Sequence, residues 1–273
     1  MGPNSAQGIR WDLTDLFRAH DDARIDGTLN DCRARAEAFA SEFRTPMEKS
    51  RTLSSEILVS ALDQLETIYE NLGRVGSYAG LLYAADTAKP EYQDLEQRVE
   101  QRSTEIRNLL LFFELAWLKV DDDIASKLIG DPKLKSYRHY LESLRRYRPH
   151  TLSEPEEQLL NERDNTGRNA FGRLFSETTS SLIFKLARDG KTEELNLSQM
   201  LSHLHEPDRE LRRRAMDTLY QGLAQHGQML TFIFDTLIQD NLTVDRLRHY
   251  PTPIAQRHLA NEIDGEAVKT MME

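Results

Sequence analysis

The chain has 273 residues, of which 39% are hydrophobic and 29% charged, and a formal net charge of −10 from 45 acidic and 35 basic side chains. That length admits one large domain or two smaller ones with a sizeable apolar core. Thirteen glycines and nine prolines favour long amphipathic helices over a turn-rich all-β fold, and the acidic balance repels phosphate backbones, so no nucleic-acid partner is expected.

Cys32 is the single cysteine, which rules out an internal disulfide and points to a reducing compartment, the cytoplasm. It falls among Leu29, Ala36, Phe39 and Phe43 and reads as a buried thiol rather than a nucleophile. The opening MGPNSAQGIRWDLTDLF has no apolar signal-peptide core. The longest apolar run, Leu109 to Phe113, is five residues, far short of the roughly 20 that a spanning helix needs, so no membrane is expected as a partner.

In chain order, a short irregular arm leads to Trp11-Asp12-Leu13-Thr14-Asp15-Leu16-Phe17, whose apolar side chains suit docking on a body of helices. The first helix is predicted over about 28–43, ended by Thr45-Pro46. A longer one starts near Ser54, with Ile57, Leu58, Ala61, Leu62, Leu65, Ile68, Tyr69, Leu72 and Val75 at the 3-4 spacing of a core stripe. Gly73, Gly76 and Gly80 follow. They lack the GxGxxG spacing and a preceding strand, so they predict close helix packing and not a phosphate loop.

Pro90 suits a first turn, and a helix from Glu91 to about Leu118 should follow. Asp121-Asp122-Asp123 favours the next helix start and lacks the glycine and terminal glutamate of a calcium loop. Two further helices are predicted, one over 131–147 and one opened by the capping box Ser153-Glu154-Pro155-Glu156.

Near 182–196 the pattern alternates around Asp189-Gly190, which predicts a small β-hairpin. The expected organisation is an N-terminal helical domain over 1–180 and a second domain opening over 181–273. Helices resume near Ser198. A long helix, or two, should run over 208–247, with Leu211, Ala215, Leu219, Leu223, Leu230, Ile233 and Leu237 on its core face. Pro251 and Pro253 force an extended connector. Asp264 caps a last helix carrying Val268, Met271 and Met272, and the chain is expected to stop inside an element, exposing an apolar face from about 208 onward.

The search for chemistry is mostly negative. A His-Glu-x-x-His zinc helix needs imidazoles one turn apart. The one His-Glu pair, His205-Glu206, is followed by Pro207 and has Arg209 where the second histidine should stand. On a helix His203 and His205 point in different directions, so surface or capping roles come before ligation. His20, His139, His150, His226, His249 and His258 show no ligand spacing. The tyrosines Tyr78, Tyr83, Tyr137, Tyr140 and Tyr147 read as core or groove-lining residues. Two arginine clusters, Arg145-Arg146-Arg148 and Arg209-Arg212-Arg213-Arg214, read as solvated helix faces.

Several blocks in order nevertheless resemble the N-terminal half of the oligoendopeptidase F family, the thimet-oligopeptidase-like zinc metallopeptidases. They are Trp11 to Phe17, SYAGLLYAADTAKPEYQDL from Ser77, LLFFELAWLKV from Leu110 and LSEPEEQLLNERDNTGRNAFGRLF from Leu152. The tail, Asp208 to Ala215 and then Leu247 to Val268, resembles the opening of that family's catalytic domain. The resemblance implies a mainly α body in which zinc, held by His-Glu-x-x-His and a downstream glutamate, hydrolyses short unstructured peptides inside a deep channel. It also implies that this chain stops before the zinc-binding core. No catalytic, substrate-binding or metal-ligating residue carries over to it, its partner would be the missing C-terminal segment, and it would be inactive alone. The competing reading is a non-catalytic helical peptide-binding or scaffold protein.

Overall fold

A computed structural model describes residues 11–49, 53–188 and 190–273. It is 77% helical, and the sheet formed among the described residues is a two-stranded antiparallel hairpin, as the mainly α expectation requires. Packing divides the chain into two compact units, Met1–Arg145 and Arg146–Glu273.

Three long helices make the body of the first unit and pack on one another pairwise: α1 (Ala23–Glu48), α2 (Ser55–Ala85) and α3 (Pro90–Lys119). The Asp22 carboxylate caps α1 by accepting the Arg24 N–H at 3.0 Å, and Ser54 caps α2. Pro90 opens α3, where its missing N–H costs nothing. The α1 stripe Ile25, Leu29, Cys32, Ala36, Phe39, Phe43 and Met47 is fully buried. The Phe39 ring lies 4.9 Å from Phe43, 5.7 Å from Phe112 and 5.9 Å from Phe113 between centroids. Each such side chain contributes about 1.5–3 kcal/mol by leaving water.

Three expectations fail here, each for a physical reason. The first helix starts earlier and runs through Pro46 to Glu48. The proline removes one N–H, but buried Met47 anchors the turn and the Lys49 N–H still reaches the Thr45 carbonyl at 3.3 Å. Gly73, Gly76 and Gly80 make no close helix approach: a methyl group on any of them would meet nothing within 4 Å. The segment 11–17 docks as expected through Leu13, Leu16 and Phe17, the last edge-to-face with Tyr78 at 5.2 Å, and the expectation fails only at Trp11, which is 85% exposed.

The unit closes with α4 (Asp122–Ile129), a 3-10 turn over Pro132–Tyr137 and α5 (Arg138–Arg145), in place of the single helix expected over 131–147. Arg145 is no solvated cluster residue. Its guanidinium caps the end of α3 by donating to the carbonyls of Trp117 (3.0 Å) and Val120 (2.8 Å), and it also pairs with Asp122. The Trp117 indole N–H in turn donates to the Leu141 carbonyl at 3.0 Å.

The second unit comprises a 3-10 turn (Arg148–His150), α6 (Glu154–Thr166), α7 (Arg168–Ser180), β1 (Phe184–Arg188), β2 (Lys191–Leu195) and α8 (Leu197–Ser202). A 3-10 turn (His203–His205), α9 (Arg209–Gln225), α10 (Gly227–Leu247), α11 (Ala255–Ala260) and α12 (Gly265–Met272) complete it. In α6 the Glu156 carboxylate accepts the Ser153 backbone N–H at 2.9 Å, the reciprocal half of the capping box.

The hairpin pairs Phe184 with Leu195 and Arg188 with Lys191. Gly190 takes φ 75°, the left-handed conformation a two-residue turn demands, while Asp189 and the arm before Trp11 lie outside the described residues. Phe184, Leu186 and Leu195 join Leu182, Met200, Leu211, Ala215 and Leu219 in one small core. The hairpin is therefore an integral part of the second unit, and the division by packing falls ahead of it, at Arg145–Arg146.

Candidate functional site

The histidines singled out in the sequence do not converge. His203 is buried in its 3-10 turn with Nδ1 3.4 Å from the Glu206 carboxylate, while His205 is exposed. Among the described residues no three His, Cys, Asp or Glu side chains group so as to hold a metal ion. The zinc implied by the family resemblance thus finds no fitting ligand set here, and no chemical step is derived through it. Cys32 is fully buried, its thiol 3.9 Å from the Ile68 carbonyl, and burial pushes its pKa up. In the second arginine cluster, Arg212 donates to the carbonyls of Glu206 (2.6 Å) and Pro207 (2.8 Å), and Arg213 pairs with Glu210. Arg145, Arg212 and Arg213 are thus engaged within the fold.

What the second unit does present is an apolar groove of about 650 Å³ whose walls come from α7, α8, α9 and α10. Phe175, Leu201, Leu223, Leu230, Phe234 and Leu237 are among its lining side chains. The helical 3-4 spacing brings Leu230, Ile233 and Leu237 to one side of α10, as the sequence indicates, and Leu219 and Leu223 face them from α9. The Thr179 hydroxyl, the polar atom of the α7 wall, is already spent on the Phe175 carbonyl at 2.8 Å. The lining offers apolar surface and no charged side chain, so the groove suits packing, not proton transfer or ion binding.

A polar knot braces the same unit. The Arg248 guanidinium donates to both oxygens of the Glu157 carboxylate at 2.6 Å and to the His150 carbonyl at 3.2 Å. His150 Nδ1 lies 2.8 Å from the Arg248 carbonyl, and its ring stacks on Tyr250 at 3.9 Å. Two bonds end α10: the Tyr250 N–H reaches the Asp245 carbonyl (2.9 Å) and the His249 N–H reaches that of Arg246 (3.3 Å). His249 sits at φ 58°, so this is a Schellman stop made without glycine. The same pattern recurs after α11, where Glu262 is at φ 52° and the Ile263 N–H bonds the His258 carbonyl at 3.1 Å. Asp245 is only 5% exposed and neither of its carboxylate oxygens has a hydrogen-bond partner among the described residues. Nearby Asp164 has its pKa raised, by burial first and by Asp240 second. No local sequence signal joins Glu157 to Arg248, and the sequence reading missed both.

Comparison with known proteins places these features in context. Residues 117–184 match the family model described as Oligopeptidase F. Oligopeptidase PepF of Bacillus subtilis is 25% identical over 260 residues, which is 89% of this chain and 39% of that protein. Group B oligopeptidase PepB of Streptococcus agalactiae is 24% identical, over 97% of this chain and 43% of its own length. The chain spans about two-fifths of the length of these relatives. In fold it is similar to the crystal structure of oligoendopeptidase-F from Enterococcus faecium, with a TM-score of 0.75 and 20% identity over 90% of this chain and 47% of that one.

Proposed function

We infer that this chain, a relative of oligoendopeptidase F over nearly its whole length, is the N-terminal, non-catalytic portion of a peptidase that hydrolyses short unstructured peptides. The observation that carries this reading is the match to oligopeptidases across 89–97% of the chain but only 39–43% of their own length. Hydrolysis, and the zinc that would polarise a peptide carbonyl and supply hydroxide, belong in this reading to polypeptide outside residues 1–273. The role of these residues is to wall a channel that admits flexible peptides and refuses folded proteins. The apolar groove, with no charged side chain in its lining, supports the reading of a packed wall.

The test is a hydrolysis assay with internally quenched peptides of about ten residues, run on the 273-residue chain and on the protein translated from its uninterrupted gene. Cleavage by the longer protein alone is expected. Cleavage by the 273-residue chain, or by neither, would overturn the reading in favour of a different enzyme or of a helical scaffold.

A further inference from the structure

We propose that the groove between α7, α8, α9 and α10 seats a helix from polypeptide outside residues 1–273, making α10 the central helix of a larger helical layer. The proposal deepens the reading above and rests on it for the source of that helix.

The contrast between the two units carries the argument. Of the large apolar side chains among its described residues, the first unit exposes only Trp11 and Leu81. In the second unit α10 alone exposes Met229, Phe232, Phe234, Ile238, Leu242 and Leu247. Phe232 and Phe234 are 63% and 64% exposed, on either side of Ile233, which is 1% exposed. These exposed apolar side chains stand on two sides of α10, between exposed polar ones such as Asp235 and Gln239, and water on those sides forfeits their burial energy. The helices α7 and α9 pack on α10 and bury Ile233, while leaving those other side chains bare.

The groove also states what its occupant must be. With no charged side chain in its lining, it rewards apolar residues at i, i+3 or i+4, and i+7 of an incoming helix, and it offers a buried charge no partner. The matched relatives supply the source. More than half the length of each lies outside what this chain matches, so each carries ample polypeptide to cover such a face.

Cys32 is fully buried, so a single introduced cysteine reports cleanly on a chosen surface. Phe234→Cys tests the groove, and Lys191→Cys on β2 at the hairpin serves as reference. Each variant is labelled with a maleimide in the 273-residue chain and in the protein translated from the uninterrupted gene. In the short chain both should react at similar rates. In the longer protein Phe234→Cys should react at least about tenfold more slowly while the reference is unchanged.

Equal reactivity of Phe234→Cys in both proteins, or a gene that ends after Glu273, overturns the proposal. Protection without peptide hydrolysis leaves the docking standing and removes the peptidase reading; hydrolysis with an open groove does the reverse.

Discussion

Glu157 on α6 and Arg248 at the end of α10 face each other through two parallel hydrogen bonds of 2.6 Å, with side chains 9% and 20% exposed. The pair ties the entry of the second unit to the stop of its longest helix, and Glu157 adds the Leu152 N–H at 3.0 Å. A charge-assisted, two-pronged contact of this kind fixes geometry as well as adding energy. Removing one partner strands the other's charge away from water.

Arg248→Met should therefore destabilise the second unit by about 3–5 kcal/mol, whereas the double variant Glu157→Gln with Arg248→Met should recover much of that loss. Urea denaturation of the three proteins checks it. A single-variant loss under about 0.5 kcal/mol, the range of an ordinary surface change, would show that the pair braces nothing.

The glycines give a second, paired expectation. A methyl group on Gly222 of α9 would stand 2.5 Å from Cε1 of the buried Phe184 ring, while one on Gly76 of α2 would meet open space. Gly76→Ala should stabilise by about 1 kcal/mol through helix propensity. Gly222→Ala should destabilise despite the same gain, since overpacking costs about 1–3 kcal/mol. Thermal unfolding that shifts both variants in the same direction would refute the close contact between α9 and the hairpin.

Asp164 predicts a pH effect of defined sign. Burial and the neighbouring Asp240 raise its pKa above the ordinary 3.8, so the folded state holds that proton more tightly than the unfolded chain. Its contribution to stability is present below 3.8 and is lost as pH rises through the raised folded value. Asp164→Asn should accordingly be more stable than the parent at pH 7, with the difference shrinking as pH falls toward 3.8. Stability curves for both proteins across pH 3–7 measure this, and an asparagine variant less stable at pH 7 would contradict it.

These residues also show how far sequence alone carries. The stripe from Leu58 to Val75 announces α2, and the alternation of Phe184 and Leu186 before Gly190 announces the hairpin, because side-chain periodicity is set locally by backbone geometry. Pro46 misleads for the opposite reason: one missing hydrogen bond is a local cost, and the burial of Met47 is a tertiary gain the local pattern does not contain. The Glu157–Arg248 pair and the approach of Gly222 to Phe184 join residues distant in sequence, so neither leaves a spacing to read. The exposed face of α10 was legible as an apolar excess, since Phe232 and Phe234 fall off the stripe that Leu230, Ile233 and Leu237 define.

The central claim, that residues 1–273 support a peptidase without carrying its metal centre, is tested most directly by metal analysis after dialysis. Zinc content is measured for the 273-residue chain, its His203→Ala/His205→Ala variant and the protein translated from the uninterrupted gene. The account predicts no stoichiometric zinc in the first two and one zinc per chain in the third. One tightly held zinc in the 273-residue chain, lost in the double-histidine variant, would contradict it.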